Sequence, residues 1–168
     1  STYLDVATKL QEAGANALMS CANTPHMAIE YVQPNIQIPF LHIGQSTRVE
    51  ARLKGYKKLL LLGNRPTMTK KFLKQYLIEN FDLEIFTPAQ TEIDQSHHYV
   101  SQQLTQGLFS EEAKQFYTRL IETYQHKVDA VILGCTEIPL LIKDKDSVIP
   151  VFDTTMLHAR KAVEMALN

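Results

Sequence analysis

The chain has two cysteines, and their local settings are alike. Cys135 lies in Val131-Ile-Leu-Gly-Cys-Thr-Glu-Ile-Pro139. There an apolar run suited to a buried strand breaks at Gly134 and leads into Glu137-Ile138-Pro139 and a second apolar run. Cys21 lies in Ala17-Leu18-Met19-Ser20-Cys21-Ala22-Asn23-Thr24. A strand that stops and hands over to a helix delivers its next side chains to the carboxyl end of a sheet, where open parallel sheets bind ligands. A thiol in that place feels the positive end of the following helix, which lowers its pKa. Two such thiols facing one carbon could act as paired acid and base. One thiolate removes a proton from one face, the other thiol returns a proton to the opposite face, and a stereocentre inverts. The plainer role for either residue is that of most free cysteines, a small buried apolar side chain.

The neighbours fit a small acidic ligand. Asn23, Thr24 and Thr136 stand where hydroxyls and backbone N–H groups can cradle a carboxylate, a role compatible with simple helix capping. Glu137 could act as an acid or bond a ligand's amino group, or could serve only as a favourable first-turn glutamate. Gly63-Asn64-Arg65-Pro66-Thr67-Met68 is a third strand-to-helix turn able to hold an anion. It lacks the second Gly and the Lys-Ser/Thr pair of a phosphate loop. His26, one turn behind the first cysteine loop, could tune that loop or merely satisfy local hydrogen bonds. None of the six histidines has zinc-motif spacing with the cysteines, so no metal is expected.

The elements that must carry these residues alternate. Residues 3–13 read as an amphipathic helix ending at Gly14. Ala15–Cys21 reads as a strand, and Thr24 (N-cap) with Pro25 (first turn) starts a helix that stops near Pro34. Strand 38–43 and helix 46–55 follow. Lys57–Gly63, with four consecutive leucines, reads as a strand covered on both faces. Then come a helix from Met68 to about Phe81, strand 83–87, helices near 90–105 and 110–125, strand 128–134, strand 148–152 and helix 154–167. This alternation predicts an α/β fold with parallel sheets flanked by helices. The repeated strand–Cys–Thr–helix pattern hints at a duplicated lobe.

Composition limits the partners. A formal net charge of −1 gives no bulk attraction to nucleic acid or an anionic membrane. No apolar run approaches the ~20 residues of a membrane span, and the start does not have the form of a secretory signal. Two cysteines make no disulfide framework, so free thiols in a reducing cytoplasm are expected.

The runs Leu133-Gly-Cys-Thr-Glu-Ile-Pro139 and Leu18-Met-Ser-Cys-Ala-Asn-Thr-Pro-His26 resemble the two cysteine signatures of the aspartate/glutamate racemases. Gly63–Met68 and Val151-Phe152-Asp153-Thr154-Thr155 match further stretches of that family, in its order. The resemblance covers essentially the whole chain. It implies two similar α/β lobes with a ligand cleft between them, here residues 1–47 with 150–168 and residues 48–149. It implies no pyridoxal phosphate and no metal. Cys21 and Cys135 would be the acid/base thiols, and Asn23, Thr24, Thr67 and Thr136 would hold the carboxylate of a small amino acid. A homodimer is the expected assembly, closed twofold pairs being commonest.

Three departures bear on that reading. Many members place the cysteine directly before Asn-Thr, where this chain has Ala22. Asn64 and Pro25 replace a usual Thr and Met. Members also begin with a strand and a Gly-rich loop ahead of the helix found here at 3–13, so the first lobe is expected to be incomplete. Besides racemisation, the sequence therefore leaves open a single-thiol decarboxylase or isomerase of a small dicarboxylate, and an inactive shortened member of the family.

Overall fold

The computed structural model describes residues 2–79 and 82–167. Helix α1 (Thr2–Glu12) is followed by a short parallel pair, β1 (Leu18–Met19) and β2 (Phe40–Leu41), with Leu18 opposite Phe40. Between them run a 3-10 turn over Thr24–Ala28, α2 (Ile29–Val32) and a second 3-10 turn over Gln33–Asn35. Ala7, Leu18, Val32 and Ile36 form a small core of their own.

The second sheet has four parallel strands in the order β4-β3-β5-β6, namely β3 (Lys58–Leu62), β4 (Glu84–Phe86), β5 (Ala130–Leu133) and β6 (Val151–Asp153). Its crossovers are α4 (Arg65–Thr69), α5 (Lys71–Ile78), α6 (Gln90–Gln102), α7 (Glu111–Tyr124) and α8 (Ile138–Leu141). The leucine run of β3 explains the two-sided cover. Leu60 and Leu62 join one core with Val131, Leu133, Tyr99 and Tyr117. Leu59 and Leu61 join the other with Ala130, Ile132, Leu73 and Leu77. Successive strand side chains point to opposite faces, so a run without alternation supplies both. Helix α3 (Ile43–Lys54) packs against the closing helix α9 (Thr154–Leu167).

The architecture is thus two parallel α/β sheets, one of two strands and one of four among the described residues. Several local expectations shift. The expected strand over 15–21 shrinks to two residues. Asn23, not Thr24, is the cap residue of the turn at 24–28, and it makes no side-chain capping bond. Helix α3 starts three residues early because the His42 side chain accepts the Gly44 N–H. Helix 68–81 is two helices parted at Lys70, whose backbone is extended. Thr69 Oγ1 donates to Arg65 O there, a local bond that competes with helix continuation. Phe81, its expected end, lies outside the described residues. Strand β6 pairs with β5 in the larger sheet and leads directly into α9. No helix among the described residues is long and apolar enough to cross a membrane.

Candidate active site

The carboxyl ends of β3, β5 and β6 converge, and two glycines allow it. An added Cβ on Gly134 would meet Thr67 Cγ2 at 2.9 Å and Leu62 O at 3.0 Å, and one on Gly63 would meet Thr67 Cγ2 at 3.0 Å and Gly134 O at 3.1 Å. Both strand ends therefore press against Thr67, which is fully buried. Asn64 caps α4 by accepting the Thr67 N–H at 3.0 Å. Its Nδ2 donates to Thr24 Oγ1 at 3.2 Å. That bond ties the first-cysteine loop to the larger sheet.

A second bond ties it again. Asn23 Nδ2 donates to Thr154 Oγ1 at 3.1 Å, and Thr154 Oγ1 donates to Leu133 O at 2.9 Å. Leu133 O can only accept, so the single hydroxyl proton of Thr154 is committed to it. Thr154 must then accept from Asn23, which fixes the amide with its oxygen turned away. Asn23 Oδ1 and Thr67 Oγ1 are buried and have no hydrogen-bond partner among the described residues. Buried polar atoms are nearly always bonded, so these two are open to a further hydrogen-bonding group.

Cys135 is 7% exposed and packs in the same core as Tyr117 and Ile138. Its Sγ donates to Glu137 Oε2 at 2.9 Å, and Thr136 Oγ1 donates to Glu137 Oε1 at 2.7 Å. The pKa expected to be lowered is instead raised to about 12, first by burial and then by the bond to Glu137 and its charge. The helix that follows, α8, has only four residues and exerts little pull. At neutral pH the side chain is a thiol. Cys21, by contrast, is exposed, although Asn23 two residues on is 3% exposed.

Cys135, Thr136 and Glu137 thus follow β5 directly, Thr67 lies in α4 against the ends of β3 and β5, and Asn23 and Thr24, after β1, are bonded to Thr154 and Asn64. The sequence reading missed two supports. Thr154 was visible only as part of a family-like stretch. Ser96, fully buried, donates Oγ to Gly63 O at 2.8 Å and lies 2.9 Å from the hydroxyl of Tyr117. No local pattern signals that pair. Among the described residues no cluster of His, Cys, Asp or Glu has the makings of a metal site. An open hollow of about 780 Å³, lined in part by Lys54, Tyr56, Phe152 and Arg160, lies between α3, β6 and α9; neither cysteine lines it.

Known proteins are similar to this chain in sequence and in fold. A sequence profile of the family described as Asp/Glu/Hydantoin racemase matches residues 2–162. The broad specificity amino-acid racemase RacX of Bacillus subtilis (strain 168) is 24% identical over 164 residues, spanning 98% of this chain and 70% of that protein. A candidate Asp/Glu racemase from Yersinia pestis superposes with a TM-score of 0.92 at 35% identity, covering 98% of this chain and 72% of the other. An aspartate racemase homologue from Pyrococcus horikoshii OT3 gives 0.88 at 35% identity, with 98% and 73% covered. The family profile and the two structures at 35% identity match nearly the whole length: the chain belongs to the Asp/Glu/Hydantoin racemase family of cofactor-independent isomerases.

Proposed function

We propose that this protein racemises a small amino acid of the aspartate/glutamate type, with Cys21 and Cys135 as the two acid/base groups. The observation that carries the reading is the polarity of the strand-end cluster. Thr24 and Thr67 offer hydroxyl protons to a carboxylate, while the Thr136 hydroxyl donates to Glu137. Asn23 Oδ1, whose orientation the Thr154 bond fixes, offers an acceptor to an ammonium group, and the Glu137 carboxylate adds negative charge. Donors and acceptors on one cluster complement an amino-acid zwitterion. In one direction the Cys21 thiolate takes the Cα proton and the carbanion takes the proton of the Cys135 thiol. In the other, the Cys135 thiolate left by that transfer takes the Cα proton and the carbanion takes the proton of the Cys21 thiol.

The exposure of Cys21, and Ala22 in the register that many family members give to cysteine, favour a second reading in which Cys135 is the one effective thiol. That arrangement suits a decarboxylase or an isomerase of a small dicarboxylate. The lobes in this proposal are residues 1–47 with 150–168, and residues 48–149, β6 carrying the chain from one to the other. We take the protein to work as a cytoplasmic homodimer, which light scattering would test.

Proton exchange at Cα separates these readings. The protein is incubated in deuterated buffer with aspartate, glutamate and a panel of other amino acids. Racemisation predicts deuterium at Cα, with a loss of roughly 10²-fold or more in either Cys21→Ala or Cys135→Ala. Loss in Cys135→Ala alone points to single-thiol chemistry. No exchange with any amino acid ends the racemase reading.

A further inference from the structure

His26 is 2% exposed, and its ring joins the first-cysteine loop to the start of α3. Its Nδ1 faces two carbonyls, Ala22 O at 2.9 Å and Asn23 O at 3.2 Å. Carbonyls only accept, so Nδ1 carries the proton. Its Nε2 accepts the backbone N–H of Ile43, the first residue of α3, at 3.0 Å. Both ring nitrogens are therefore committed, in opposite senses, and the ring is neutral. A second proton would set Nε2–H against Ile43 N–H.

The ring is also walled in. His42 and His158 stand edge-on to it, with ring centroids 5.0 and 5.6 Å away, and Phe40 closes another side at 6.1 Å. His158 lies one turn beyond Thr154 on α9. That helix therefore grips the loop twice: Thr154 holds the side chain of Asn23, and His158 packs on the ring that holds its backbone. Beyond these holds, the Asn64–Thr24 bond ties the loop to the larger sheet. Strand β1 ends at Met19, and the turn at 24–28 has no side-chain cap.

We propose that His26 is a positioning residue of the active site. By holding two successive carbonyls against α3, it sets where the Cys21 thiol and the Asn23 amide meet the substrate. It moves no proton itself, having no free nitrogen. This deepens the racemase reading and rests on it for the activity readout.

Two substitutions divide the two halves of the ring's work. In His26→Asn the amide nitrogen falls near the place of Nδ1 and can still donate to the loop, but the side chain is too short for Ile43. In His26→Gln the amide oxygen reaches the place of Nε2 and can accept from Ile43, with no donor left for the loop. Amide hydrogen exchange over residues 20–26 is measured together with kcat and KM for Cα exchange. His26→Gln is expected to lose loop protection and about 10- to 100-fold in kcat, the scale of an ångström-sized misplacement, with a smaller change in KM. His26→Asn is expected to keep both within about threefold, a modest fraction of that loss. Equal losses in the two variants, in step with melting temperature, overturn the proposal, as does a His26→Asn protein that does not fold. If the wild-type protein exchanges no amino acid, the racemase reading fails and amide exchange alone decides. A loop opened in the Gln variant and closed in the Asn variant sustains the role of His26; equal behaviour ends it.

Discussion

Glu137 governs Cys135 through a single short contact. The thiol donates to a carboxylate at 2.9 Å, so losing that proton would set two negative groups side by side. Burial acts in the same direction and is the larger cause. Glu137→Gln removes the charge and leaves the burial. The Cys135 titration is then expected to fall below about 12 yet stay above the ordinary 9.0. Thiolate absorbance followed against pH in a Cys21→Ser background would measure it; an unmoved midpoint would mean that burial alone sets the value. Asn64 permits a second prediction. Its side chain caps α4 and holds Thr24, so Asn64→Ala is expected to lower stability by about 1 kcal/mol, the usual worth of such a cap. It should also weaken amino-acid binding, because Thr24 and Thr67 both lose their placement. Urea denaturation and calorimetric titration with aspartate would check the two effects.

The strand ends leave little room for an added atom. Strands β3 and β5 lie side by side, and their terminal glycines allow Thr67 to drop between them. A methyl group on Gly134 would come within 3.0 Å of Leu62 O, a backbone atom that cannot swing aside. Gly134→Ala is therefore expected to destabilise the fold by about 1–3 kcal/mol, the range for overpacking a filled core. Exposed glycines such as Gly14 have nothing within reach of an added Cβ, and their constraint is a positive φ instead. Urea midpoints of Gly134→Ala against wild type test the contrast between crowding and backbone strain. A change below a few tenths of a kcal/mol would show that Thr67 can withdraw without loss.

Three histidines lie where α3, α9 and the first-cysteine loop meet, and they couple the whole fold to pH. Burial lowers the pKa of His26, takes His42 to about 3 and takes His158 to about 4, each from an ordinary 6.5. The native state keeps these rings neutral while the unfolded chain protonates near 6.5. Their contribution to stability is therefore complete above pH 6.5 and is lost as pH falls towards 4 and then 3. Melting temperature is expected to decline steadily through that window when followed by circular dichroism. Both ring nitrogens of His158 are buried without a partner among the described residues. His158→Leu is expected to gain about 1–2 kcal/mol at neutral pH, since it removes an unsatisfied polar group. It should also flatten the acid limb. A steeper limb in that variant would contradict the assignment.

The sequence by itself determined the class of fold. Leucines without alternation require a strand covered on both faces, and Gly134-Cys135-Thr136 after such a strand must sit at a sheet's carboxyl end. These are local consequences of pattern, readable without knowing what lies across the gap. Where elements begin and end was less legible, because a side chain such as His42 can start a helix inside an apolar run. Only the tertiary structure decided the chemistry of Cys135. A helix end suggested a lowered pKa, but burial and the position of one carboxylate oxygen reversed the sign. Only the tertiary structure brought Asn23 to Thr154, and His26 to His158, across the length of the chain. Solvation and long-range hydrogen bonding depend on which distant residues become neighbours, and a local pattern carries no record of that.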